Sequence, residues 1–150
     1  MSVLALALSL ALLPGCQETS TETARDVAGA RRDAAEANAG ARKEASKEMA
    51  EANRDMSEAQ ADYDQTEGEA GEELDAAGTE ARVAAAQARY DVAHTAALGR
   101  HEVARQACHG QVVGQARDDC MLKADNELAV EESRAALERD EALQAASGRR

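Results

Sequence analysis

The side chains able to do chemistry in this 150-residue chain are few: Cys16, Cys108 and Cys120, the histidines His94, His101 and His109, and an excess of carboxylates. A thiol can be acylated, oxidised to a disulfide or made a metal ligand. Cys108, His109 and Cys120, with His101 nearby in sequence, are ligand types for zinc or haem iron. No C-x-x-C pair is present, however, and the spacing fits neither a zinc finger nor a c-type haem site. Asp91, His94 and His101 share one helical face, an arrangement that reads as an ordinary solvated surface. The acidic window from Asp62 to Glu80 lacks the ordered D-x-D-x-D-G pattern and terminal glutamate of a calcium loop. There is no Gly-rich phosphate loop, no G-x-S-x-G and no His/carboxylate cluster in an evident pocket. The expectation is a protein that is not an enzyme, with no catalytic residue, cofactor or metal.

The setting of Cys16 gives the first positive lead. Val3 to Leu13 form an uncharged apolar run of eleven residues, long enough for the core of an export signal and too short to cross a bilayer about 30 Å thick as a helix. The run ends at Leu13-Pro14-Gly15-Cys16, followed at once by the polar stretch Gln17-Glu18-Thr19-Ser20. Leu13, Gly15 and Cys16 resemble the lipobox of bacterial lipoproteins. That resemblance implies a signal peptide over residues 1–15, lipidation at Cys16 and a polar tether over 16–23. Gln17, where aspartate is the usual retention signal, implies the outer membrane, periplasmic face, with the membrane as a partner through the lipid.

With Cys16 committed to lipid, Cys108 and Cys120 have the parity of a disulfide. On an unbroken helix they would lie about 18 Å apart, whereas a disulfide needs Cα atoms roughly 4.4–6.8 Å apart, so the bond requires the chain to reverse. Gly110 and Gly114 suit a tight turn, and Asp118 or Asp119 could cap a new helix. The series Cys108, Gly114, Ala116, Arg117, Asp118, Cys120 and Ala124 resembles small alanine-rich proteobacterial envelope proteins with a cysteine pair, which again implies an envelope location.

The remaining composition concerns the frame. Hydrophobic residues make up 44% of the chain, but alanine dominates them, and Tyr63 and Tyr90 are the only aromatics. Alanine, glutamate and arginine favour helix, and the one proline lies before Cys16. The fold class expected is all-α: an extended helical or coiled-coil rod with a C-terminal disulfide-linked hairpin. A long alanine-rich helix is expected over 24–66, begun by a capping box of Thr23 and Asp26. Its small-residue seam runs Val27, Ala30, Ala34, Ala37, Ala41, Ala45, Met49, Ala52, Met56, Ala59, Tyr63, suited to close approach and to a homo-oligomer. Lys47, Glu51, Arg54 and Glu58 form a charge ladder, and Arg32 and Glu36 a further pair. Residues 67–79, acidic and glycine-containing, are the expected hinge. The hairpin spans 80–146 with its turn at 108–120, and the apolar pairs Met121/Leu122, Leu128/Ala129, Ala135/Ala136 and Ala142/Leu143 are expected to pack on 80–107.

The net charge of −12 argues against binding nucleic acid. In plan the chain resembles the major murein lipoprotein but closes Ser147-Gly148-Arg149-Arg150 rather than on an attachment lysine, so covalent linkage to peptidoglycan is not expected. The functional expectation is a non-catalytic, lipid-anchored envelope protein acting as a periplasmic helical spacer or interaction surface. A chaperone-like or stress-response helical binding protein is the alternative.

Overall fold

The computed structural model describes residues 19–66 and 70–148. The expected signal peptide, Cys16 and the first part of the tether lie outside the described residues, as do positions 67–69 of the expected hinge. Three helices make up the rest: α1, Ser20–Gln65; α2, Gly71–His109; and α3, Gln115–Ser147. Among the described residues there is no strand.

Helix α1 starts one turn earlier than Thr23 and Asp26 suggest. Thr19 is the N-cap and Glu22 completes the box: the Glu22 N–H donates to Thr19 Oγ1 at 3.3 Å, and the Thr19 N–H donates back to Glu22 Oε2 at 2.9 Å. Both Thr19/Glu22 and Thr23/Asp26 have the right spacing, but the longer glutamate reaches back over the turn. The Thr19 N–H, with help from its hydroxyl, holds the Glu22 carboxyl below its ordinary pKa.

The stretch expected to be a hinge is mostly helix. Helix α2 begins at Gly71, so residues 71–79 are helical despite their glycines and acids. Glu72 and Glu73 fall in its first turn, where negative charge favours a helix N-terminus. On either side of positions 67–69, Thr66 Oγ1 donates to Asp62 O at 2.8 Å and accepts from the Ala70 N–H at 3.3 Å. The Tyr63 ring lies 3.6 Å from where a Cβ on Gly71 would sit.

Across that break α1 folds back antiparallel along α2. Tyr63 lies beside Gly71, Ala34 beside Gly99 and Thr23 beside Gly110. At Gly99 the approach is so close that a Cβ would fall 2.7 Å from the Ala34 Cβ. The seam on α1 is therefore spent within the chain: Ala30 and Ala45 are buried, and Val27, Ala34, Ala41, Met49, Ala52, Ala59 and Tyr63 are half-buried. Ala37 departs from this pattern, being exposed while Asn38 takes the inward position, and Met56 is exposed at the margin.

Helix α3 packs antiparallel on another side of α2, as expected for the hairpin. Its inward face carries Met121, Ala124, Leu128, Ala135, Ala142 and Ala146, whereas Leu122 and Ala129 point outward. Helix α2 is thus the shared layer. Its backbone is approached by both neighbours, while those of α1 and α3 do not come comparably close to each other.

Candidate functional site: the cystine turn and the groove over the central helix

Cys108 ends the buried face of α2, and Cys120 lies in the second turn of α3; their sulfurs are bonded, with Cα atoms 5.7 Å apart. The turn needs two different glycines. Gly114, at φ +122° and ψ −157°, occupies a conformation L side chains rarely adopt and serves as the N-cap of α3. Gly110 is right-handed, and its role is clearance, since a Cβ would lie 2.9 Å from Thr23 Cγ2 of α1. Asp118 and Asp119 do not cap α3: the helix has already begun at Gln115, and Asp118 sits in its first turn.

Sequence reasoning gave Arg117 no role, yet this side chain closes the turn. Its Nη2 donates to His109 O at 2.6 Å, a carbonyl that the end of α2 leaves open, and to Gln111 O at 2.9 Å in the turn. A helix C-terminus also favours this positive charge.

His94 and His101 tie α2 to α3. His94 Nε2 lies 3.0 Å from Glu132 Oε1, and His101 Nε2 lies 2.7 Å from Asp125 Oδ1. The signal was available in the spacing, because the seven residues from His94 to His101 match the seven from Asp125 to Glu132 in antiparallel order. Asp91 instead accepts a hydrogen bond from Gln87 at 2.9 Å. Tyr90 stacks on His94 with ring centroids 5.6 Å apart, and the Arg139 guanidinium lies 4.6 Å from the Tyr90 centroid. Asp140 holds the Arg139 pKa above its ordinary value through a hydrogen bond. Arg100 reaches Glu131 through two nitrogens, with its shortest contact at 2.9 Å. Among the described residues no group of three His, Cys, Asp or Glu side chains is placed to hold a metal ion.

On α1 the expected charge ladder is rearranged. Lys47 pairs backward with Glu44 at 2.8 Å, which lowers the Glu44 pKa and raises that of Lys47. Arg32 and Glu36 do not form an ion pair.

Because α1 and α3 flank α2 without closing on each other, a groove of about 460 Å³ remains between them. Ala88, Val92 and Ala96 of α2 line it together with Asn38, Arg42, Ala45 and Met49 of α1 and Glu131, Arg134, Ala135 and Glu138 of α3. Asn38 Oδ1 is buried and makes no hydrogen bond. The arrangement offers an apolar floor with charged rims and no nucleophile, so its chemistry is contact rather than bond making. No family model, no curated protein and no solved structure matches the chain.

Proposed function

We propose that the chain is a non-catalytic lipoprotein of the bacterial outer membrane, anchored on its periplasmic face through Cys16 and presenting a disulfide-stapled helical body as spacer or interaction surface. The observation that carries this reading is the order apolar run, Leu13-Pro14-Gly15-Cys16, polar tether, helix cap. The cap at Thr19 falls three residues after Cys16, so a lipid there would hold the end of the body bearing the cystine turn close to the membrane. Helix α1, 46 residues long, spans roughly 69 Å at 1.5 Å per residue, which sets the reach of a spacer built this way. The body supplies contact surfaces in the rims and floor of its groove.

The test is the intact mass of the protein extracted from membranes, before and after reduction. The expected species begins at Cys16, carries acyl chains and gains two hydrogens on reduction. A full-length, unacylated chain in the soluble fraction refutes the proposal. The open groove favours a second reading, a periplasmic helical binding protein that holds clients. Crosslinking in intact cells separates the two, since a spacer yields a fixed set of neighbours and a client-holding protein a broad one.

A further inference from the structure

The side of α3 turned away from α2 carries Leu122, Val130 and Leu137, which are 59%, 68% and 63% exposed. At 3.6 residues per turn these three fall within one stripe, roughly opposite the buried Ala124, Ala135 and Ala146. The stripe is close to palindromic: eight residues separate Leu122 from Val130 and seven separate Val130 from Leu137. Two α3 helices laid antiparallel through Val130 therefore set Leu122 against Leu137 of the second copy, Val130 against Val130, and Asn126 against Ser133.

The charges beside the stripe obey the same symmetry. Lys123, Glu127, Arg134 and Glu138 follow one another along a single flank at steps of four, seven and four. Within the chain they form only exposed pairs along α3, Lys123 with Glu127 at 3.8 Å and Arg134 with Glu138 at 2.8 Å. In the antiparallel arrangement same-side flanks meet, so Lys123 faces Glu138 of the second copy and Glu127 faces Arg134, each twice over. A parallel pairing sets this flank against the opposite flank of the second copy, so the Lys123–Glu138 and Glu127–Arg134 matches are lost. Asp119 and Asp140 close the stripe at its solvated ends, where salt screens their repulsion.

The geometry points to a second copy of this chain as the occupant of this face, docked antiparallel about a two-fold axis near Val130, with the flanking charges selecting orientation. The surface is distinct from the seam of α1, which α2 already covers. The inference stands whether or not Cys16 is lipidated.

The test uses two charge variants of the full chain in a mild non-ionic detergent, compared with the unaltered chain by sedimentation velocity. Lys123→Glu with Arg134→Glu makes the flank wholly acidic; Glu127→Lys with Glu138→Lys makes it wholly basic. All four positions are exposed, and circular dichroism establishes that helix content is unchanged. The unaltered chain should sediment with twice the protein mass of one chain as determined by intact mass spectrometry, and each variant alone at the single mass. An equimolar mixture, one variant carrying a fluorescent label, should recover the doubled mass. A monomeric unaltered chain, a variant that still pairs with itself, or a mixture that stays monomeric overturns the inference.

Discussion

Glycine to alanine changes should reverse sign between positions of this chain, and the reversal reads out the antiparallel contact of α1 with α2. In an exposed helix interior, alanine is about 0.8–1.0 kcal/mol better than glycine. Gly29 and Gly40 meet nothing within 4 Å where a Cβ would be added, so Gly29→Ala and Gly40→Ala should each stabilise by about that amount. Gly99 is equally helical, but its added Cβ would lie 2.7 Å from the Ala34 Cβ and 3.3 Å from the Ala34 Cα. Neither atom belongs to a flexible side-chain end, so relief requires α1 and α2 to move apart. Overpacking of this kind costs typically 1–3 kcal/mol, which offsets the propensity gain and leaves Gly99→Ala neutral to about 2 kcal/mol destabilising. Gly99→Leu should be worse still. Urea unfolding followed by circular dichroism at 222 nm, a wavelength that reports helix content in any protein, gives the differences directly. If Gly99→Ala stabilises as much as Gly40→Ala, helix α1 does not lie on α2 at Ala34 and the packing described here is wrong.

Other expectations follow from the turn, the groove and the cap. Replacing Cys108 and Cys120 together by serine should cost about 3 kcal/mol in the loop-entropy account, measured by urea unfolding, with no such sensitivity to reductant left in the variant. Asn38→Ala replaces a half-buried residue on the groove with a better helix former, so it should stabilise by about 0.5 kcal/mol and raise the midpoint of thermal unfolding. Thr19→Ala should cost about 1 kcal/mol through loss of the cap. Because the folded-state pKa of Glu22 is depressed, its contribution should be complete above the ordinary value of 4.5 and fade as pH falls through the lower folded value. A carboxyl NMR titration of Thr19→Ala should return Glu22 only part of the way toward ordinary behaviour, because the backbone N–H at position 19, the larger cause of the lowering, remains.

The sequence displayed the helices better than their arrangement. Proline-free, alanine-rich segments and the reversal between Cys108 and Cys120 are local properties, and both are present. The break between α1 and α2 was legible only as a region, because glycine and repulsion favour a bend while Glu72 and Glu73 favour a helix start at Gly71. What composition hid is that α1 has a partner inside its own chain. An alanine seam specifies that something approaches closely without specifying what, and the complementary surface on α2 depends on Gly99, whose meaning appears only once Ala34 is opposite it. The roles of Arg117 and Asn38 were illegible for a related reason, since each depends on atoms brought near by the turn or the helix pair rather than on spacing.

The two faces of α2 use different means to hold a neighbour. Toward α1 the contact is made of Ala34, Gly99 and similar small groups, where close approach supplies dispersion but little apolar area per residue. Toward α3 it includes His94 with Glu132, His101 with Asp125, Arg100 with Glu131 and a covalent link. Partly exposed polar pairs add only modest free energy each, yet they fix register in a way that a run of alanines does not. Reduction should therefore act unevenly. Opening the Cys108–Cys120 bond removes the constraint nearest the turn, while the polar pairs keep the register of α3, so hydrogen exchange should rise first around Gly110 and Gln115 and least around Ala97. Uniform acceleration along all three helices would mean instead that the small-residue face and the polar face fail together, and that the bond supports the whole body rather than its end.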